Sequence, residues 1–406
     1  MGLTSMNLPS EQRRIFFAAG EISGDMQAAY LAATILRQNP HVRLHGCGGE
    51  RMKRAGVDVQ IETAQLGYVG FHEPARFRRP LREVRSQIKS LLRAERPDLA
   101  VLVDGDRFNR FLINYLYEEG IPFVQYFAPL VIFWGGWRTR QLARRATLVI
   151  PAFPSEVNLF RLAGARTEWF GHPLCETVTP GSDPARALRV AGLDPNRPVI
   201  ALMPGSRWHE IASFLPTVIT AAVKLRRHRP SLQFVLPVAA PHLRQPIIER
   251  LKAAGIEDAV TLISDDVYPC LSQCELVLLA SGTATLEIAL LGVPMVVFYR
   301  VPPLTYLAAR MLVRTKFIAT PNIILDRAVV PELIQGDFTS DRLCNEALAL
   351  LENNGRRQTI RNDLAEVRNT LRGHRVLERA ATKILKLAGA HNEEDTGAKS
   401  LLAVAR

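Results

Sequence analysis

The run Val199-Ile-Ala-Leu-Met-Pro-Gly-Ser-Arg207 is a buried-strand pattern that ends in a Pro-Gly turn, and Trp208-His-Glu-Ile211 behind it can open a helix. A strand-to-helix turn of this kind leaves backbone N–H groups pointing out of the helix start, which makes an anion site. Gly205 and Ser206 let the backbone come close to a ligand, and Arg207 adds a permanently charged planar fork suited to phosphate oxygens. Alone, the run reads equally well as a surface turn with a solvated arginine. A second run repeats the design: a strand from Leu276 to Leu279 leads into Ala280-Ser-Gly-Thr-Ala-Thr-Leu-Glu287. Here Gly282 permits close approach, Ser281 and Thr283 carry hydroxyl donors, and Glu287, one turn into the helix, can accept from ribose hydroxyls. The plain alternative for Glu287 is a first-turn acid favoured by the helix dipole. Two phosphate-type turns in one sheet point to the diphosphate of a nucleotide sugar.

The elements that carry these turns alternate in an α/β manner. Ile15 to Ala19, Leu99 to Asp104, Phe123 to Phe127 and Leu148 to Ala152 are apolar runs separated by amphipathic stretches. A segment rich in Pro, Gly, Asp and Asn, 177–198, interrupts the pattern. It restarts at Val199 to Met203, Gln233 to Val238, Ala259 to Ile263, Leu276 to Leu279 and Met295 to Phe298. The sequence therefore predicts two Rossmann-like doubly wound domains, 13–176 and 199–338, joined by a linker at 177–198 and facing a central cleft at their strand carboxyl ends. Residues 339–387 read as helices that could pack back on the N-terminal domain, and 388–406 as a loose tail.

With 406 residues, 48% hydrophobic and 22% charged, the chain has material for two cores. A net charge of +12 favours a polyanionic partner. Nucleic acid is disfavoured, because no recognised binding motif is present and few aromatic residues interleave with the charges. The five cysteines, at 47, 175, 270, 274 and 344, are odd in number and scattered, which predicts reduced thiols. Cys270 and Cys274 can share a helix face, but no His or Cys pair lies near them in sequence, so they read as packing residues and no metal site is expected. The start of the chain lacks a basic, apolar leader and no run is long enough to span a bilayer, so a cytoplasmic location is expected.

The two turns, with Tyr299-Arg300 and Ala319-Thr-Pro-Asn322-Ile, are joined by N-terminal signatures: Ala19-Gly-Glu-Ile-Ser-Gly-Asp25, Gly46-Cys-Gly-Gly-Glu-Arg-Met52, Asp104 with Phe108-Asn109, and Phe170-Gly-His172. Together, over roughly residues 13 to 387, the chain resembles the lipid-A-disaccharide synthase family, inverting glycosyltransferases of the GT-B fold. The resemblance implies transfer of 2,3-diacylglucosamine from UDP to the 6-hydroxyl of 2,3-diacylglucosamine 1-phosphate, with a β-1,6 disaccharide and UDP as products. The UDP-sugar is a substrate, and no cofactor is implied. Asp104 ends a buried strand and matches the family's catalytic position, so it is the candidate base; a carboxylate capping the next turn is the other reading. Arg207, Lys316 and the two helix starts can neutralise the departing diphosphate without metal, and Asn322 joins this donor set. Asp104-Gly-Asp106 has a metal-like spacing but falls on the acceptor side. Glu21, Ser23, Asp25, Asn109 and His172 form the acceptor set, against which stand turn, cap and structural-histidine readings.

Phe77, Leu81, Val84, Ile88, Leu91 and Leu92 recur at helical spacing, with Arg76, Arg78, Arg79, Arg82, Arg85, Lys89 and Arg93 largely off that stripe. With Phe71 just before it, this basic amphipathic helix can dock peripherally on the anionic inner face of the cytoplasmic membrane while its apolar side receives acyl chains, or it can simply pack on its own sheet. Pro303 to Phe317 offers a comparable face, and a homodimer is a further expectation. Two segments depart from the family pattern. Asp104-Gly-Asp-Arg-Phe-Asn109 stands for Asp-Ala-Pro-Asp-Phe-Asn, and Pro129 to Arg138 is longer than its counterpart and lacks its serine. A transferase with another acceptor, a UDP-N-acetylglucosamine 2-epimerase-like enzyme and a non-catalytic sugar-nucleotide or lipid-binding protein are the competing readings.

Overall fold

Strands that bury alternate residues on opposite faces need a helical layer on each side, and the first sheet is built this way. The computed structural model describes residues 12–63, 78–104, 106–127, 136–264, 266–303, 306–307 and 315–389. Its first sheet is parallel, with β1 (Arg14–Ala19), β2 (Arg43–Gly48), β3 (Asp58–Glu62), β4 (Leu99–Val103), β5 (Phe123–Tyr126) and β6 (Leu148–Ile150) in the order β3-β2-β1-β4-β5-β6. Ile15, Phe17, Leu99, Val101 and Val103 face one core, with the helices Ile22–Gln38 and 376–389. Phe16, Ala18, Ala100 and Leu102 face the other, with Arg78–Ala94, Asp106–Glu118 and Gly136–Arg145.

The second sheet is also parallel: β7 (Val199–Met203), β8 (Gln233–Pro237), β9 (Val260–Ile263), β10 (Leu276–Ala280), β11 (Met295–Tyr299) and β12 (Glu332–Ile334), in the order β12-β11-β10-β7-β8-β9. Phe298 of β11 stacks on Phe338 at 4.4 Å, and Phe214 of the helix Trp208–His228 meets both edge-on. Both sheets thus reverse strand order once, between β1 and β4 and between β7 and β10, which puts a crevice at the carboxyl ends of those pairs.

The chain divides into one unit made of Met1–Pro173 with Gly373–Arg406, and another of Leu174–Arg372. Residues 177–198, expected as a linker, lie in the second unit, where Pro184–Val190 is helical and Asp183 caps it by accepting the Arg186 N–H. The helices Ser340–Glu352 and Asn354–Leu371 belong to that unit too; residues 373–389 pack with the first, through Val376, Leu377, Ala380, Ala381 and Ile384.

The basic helix forms over Arg78–Ala94. Ile88 and Leu92 are buried in the core beneath it and Val84 and Leu91 pack against that core, so this part of the stripe is used by its own sheet. Arg82, Arg85, Lys89 and Arg93 stay exposed. Arg85 lies over the Phe111 ring at 5.2 Å and Lys89 over Tyr115 at 4.9 Å, which holds the cations along the neighbouring helix. Phe71, Phe77 and most of Pro303 to Phe317 lie outside the described residues, as do the side chains of Arg78, Arg79 and Leu81 and of Asp106 and Arg107. Among the described residues, no helix is long and apolar enough to cross a membrane, and no three His, Cys, Asp or Glu side chains gather where they could hold a metal ion.

Candidate active site

In the first unit Asp104 follows β4 in a left-handed backbone conformation, φ +50°, which an aspartate tolerates better than most side chains. Three bonds impose it. The Asp104 N–H donates to Tyr126 O at 3.0 Å, and the Asp104 carbonyl accepts from Asn109 Nδ2 and, at 3.5 Å, from Gln125 Nε2. The turned chain leaves the carboxylate half-buried at the crevice between β1 and β4, where Ser23 Oγ donates to Asp104 Oδ2 at 3.3 Å. Two glycines allow this approach: a Cβ at Gly20 would fall 2.7 Å from Phe108, and one at Gly24 would lie 3.3 Å from Val103 O. Ser23 and Asp104 are therefore brought together, with Glu21 two residues away, half-buried at the start of Ile22–Gln38.

Three residues expected to touch the acceptor have other duties. Asp25, 4% exposed, accepts the N–H groups of Gly49 (2.7 Å), Arg51 (3.1 Å) and Met52 (3.3 Å), capping the helix Glu50–Arg54. Asn109, 1% exposed, donates through its amide nitrogen to the Val103 and Asp104 carbonyls, so it shapes the backbone at Asp104. His172 is buried, stacked on Phe127 at 5.0 Å, and burial pushes its pKa down to about 3, so the ring is neutral. Phe127 itself follows β5 at φ +55°, a strained setting for a bulky residue that nothing in the sequence announces.

In the second unit the two phosphate-type turns lie side by side, because β7 and β10 are hydrogen-bonded neighbours with Met203 opposite Leu279. Their chemistry is unequal. The Ser206 and Arg207 N–H groups, expected to face a diphosphate, both donate to Glu210 Oε2, at 3.1 and 3.3 Å. Sequence reasoning passed over Glu210, although a glutamate at the third helical position is the acid of a capping box. The second turn carries no such carboxylate: Gly282 stands at the N-cap of Thr283–Leu291 with no side-chain cap, and Gly282 and Thr283 are exposed. A helix start without a capping side chain is the arrangement that favours an anion. Glu287 sits half-buried farther along the same helix.

The Ser281 hydroxyl donates to Ile318 O at 2.7 Å and so braces the turn instead of offering its proton to phosphate. Thr285 does the same work, unread in the sequence: its Oγ lies 2.8 Å from Gly282 O and 2.9 Å from the Thr320 hydroxyl. Asn322, expected on the donor, is fully buried; it donates to Val330 O and Glu332 Oε1 and accepts the Val329 and Val330 N–H groups, which uses all its polar capacity. Glu332 completes this scaffold by accepting from Ile318 and Ala319, and burial pushes its pKa up. Lys316 is exposed beside the scaffold. Cys270 and Cys274 are buried as packing residues, Cys274 Sγ lying 3.7 Å from Cys270 O.

The profile of the family described as Lipid-A-disaccharide synthetase matches residues 15–387. The lipid-A-disaccharide synthase of Geobacter metallireducens is 35% identical over 377 residues, covering 93% of this chain and 98% of that protein. That of Geobacter sulfurreducens is 36% identical, with 93% and 97% covered. Among solved structures, a putative UDP-N-acetylglucosamine 2-epimerase from Listeria monocytogenes overlays with a TM-score of 0.61 at 14% identity, covering 95% of this chain and 97% of that one. At that identity the likeness speaks for the two-domain Rossmann-like fold alone and does not favour epimerase chemistry. A sequence match running through both units, at full length in its relatives, decides the matter: the chain belongs to the lipid-A-disaccharide synthase family, hexosyltransferases that form the disaccharide of lipid A.

Proposed function

We propose that Asp104 is the base of the transfer, taking the proton of the acceptor's 6-hydroxyl as that oxygen attacks the anomeric carbon of a UDP-bound 2,3-diacylglucosamine. The acceptor is 2,3-diacylglucosamine 1-phosphate, and inversion gives the β-1,6 linkage. The observation that carries this reading is the left-handed turn at Asp104, which aims a half-buried carboxylate into the β1/β4 crevice with Ser23 fixing one oxygen. In the second unit the start of Thr283–Leu291 and the Arg207 guanidinium stabilise the charge on departing UDP, with Glu287 for the ribose and Lys316 as an outer cation. No metal takes part. Incubating the enzyme with UDP-diacylglucosamine and its monosaccharide 1-phosphate, then weighing the products by mass spectrometry, should give one disaccharide per UDP, undiminished by excess chelator. Epimerised UDP-sugar without disaccharide, or chelator-sensitive activity restored by magnesium, would overturn the reading.

The enzyme works peripherally on anionic lipid through the helical layer over one face of the first sheet. Arg82, Arg85, Lys89 and Arg93 on one helix and Arg140 and Arg144 on another are exposed in that layer. Each basic residue near such a surface is worth about 1 kcal/mol. Reversing Arg82, Arg140 and Arg144 to Glu should therefore abolish co-sedimentation with vesicles containing phosphatidylglycerol while leaving the melting temperature unchanged. Equal sedimentation of variant and parent would remove the proposed surface.

A further inference from the structure

The turn that ends β7 already holds an anion, and it belongs to the protein. Glu210 is 6% exposed, and its Oε2 accepts the N–H groups of Ser206 and Arg207 while its Oε1 lies 3.7 Å from Arg207 Nη1. Gly205, at φ +125°, wraps the chain so closely around this side chain that a Cβ there would fall 2.6 Å from Glu210 Cβ and Oε2. Tyr299, at the end of β11, borders the same carboxylate: its ionisation is pushed up first by burial and then by the Glu210 charge. Helix capping accounts for the bond to the Arg207 N–H. It does not account for the second N–H, which comes from Ser206 outside the helix, or for the pairing with Arg207.

We infer that Glu210 is a resident counter-anion of the donor site, occupying the two loop N–H groups and part of the Arg207 charge that a nucleoside diphosphate would otherwise use, and so weakening its hold. The inference rests on the reading of Arg207 as a diphosphate ligand. Two opposed effects decide the sign. Tethering the guanidinium saves side-chain entropy and favours binding, whereas a carboxylate a few ångströms from the incoming diphosphate repels it in a half-buried loop. The Coulomb effect is the larger at this range. The functional consequence is release: an enzyme whose product is a nucleoside diphosphate turns over only if that product leaves, and Glu210 is poised to reclaim the loop as it goes.

Glu210→Gln separates charge from capping, because glutamine can still accept both N–H groups at the third helical position. Calorimetry on the full-length variant should show UDP and inorganic pyrophosphate binding about tenfold tighter than to the parent, equivalent to ~1.4 kcal/mol, with uridine unchanged. Unchanged or weaker UDP binding by the variant overturns the inference. So does a parallel loss for UDP, pyrophosphate and uridine together, which would mean the carboxylate merely holds the loop in shape. Arg207→Ala distinguishes the two layers of argument. If it leaves UDP affinity unchanged, the donor-loop reading itself fails; if it weakens UDP while Glu210→Gln has no effect, only the counter-anion fails.

Discussion

Asp104→Asn is expected to lower turnover by about 10²–10⁴-fold, the range for losing a positioned general base, while UDP affinity stays at the parent value. Asparagine is the right probe because it keeps what the backbone needs. At φ +50° a non-glycine residue is strained, and asparagine is among the few side chains that occupy this region with little penalty. Its carbonyl oxygen can still accept from Ser23, so the crevice between β1 and β4 keeps its shape. Alanine would confuse two effects, since losing that tolerance at the end of a central strand would itself cost stability. UDP binding is expected to persist because the donor groups lie in the other unit, on β7 and β10. Disaccharide formation measured by mass spectrometry, with UDP affinity by calorimetry, reads both quantities. A variant that turns over at the parent rate removes Asp104 from the base role.

The central strands were legible because parallel strands covered on both faces appear as unbroken apolar runs: β1, β4, β7, β10 and β11 all show this. The edge strands β6 and β9 were legible too, whereas β2, β3 and β12 were not. β3 alternates exposed and half-buried residues over five positions, β12 has three residues, and β2 carries Gly46 at a register shift, so none has the length or apolarity that marks a strand from sequence alone. The strand-end turns were legible for the same reason as the strands they follow, and both fell beside a reversal of strand order.

What sequence could not reveal is where each polar side chain spends its hydrogen bonds. Asp25 and Asn109 stand just beyond strand ends, as ligand-binding residues do, and Asn322 lies in the helix Thr320–Leu325. Their partners are backbone groups at Gly49 to Met52, Val103 and Asp104, and Val329 and Val330, and only the folded chain brings the distant ones together. Asp25 and Asn322, already satisfied in this way, have nothing left for substrate, and breaking their bonds would cost more than a new contact returns. Glu210 is the reverse case. Its partners are three and four residues away, so the capping rule applied to Trp208-His-Glu210 could have found it; the expectation of a phosphate in the same loop hid it.

Acid should destabilise the first unit through His172, and the sign follows from burial. The folded ring has its pKa pushed down to about 3 from the ordinary 6.5, because desolvation disfavours the charged form. Below pH 6.5 the unfolded chain takes up a proton at this position that the folded chain refuses. Stability is therefore fully present above about pH 6.5 and is lost as pH falls toward 3, by up to ~5 kcal/mol in the limit. Carboxylates titrate over part of the same window, so the measurement is a difference. His172→Phe keeps an aromatic face against Phe127 but cannot be protonated. Urea unfolding at pH 7.5 and pH 4.5 should show the parent losing more stability than the variant, whatever the variant's stability at neutral pH. Equal losses would mean that His172 is solvated enough to titrate normally. The same neutrality limits what the ring can do: uncharged at neutral pH, His172 supplies no counter-charge for a phosphate.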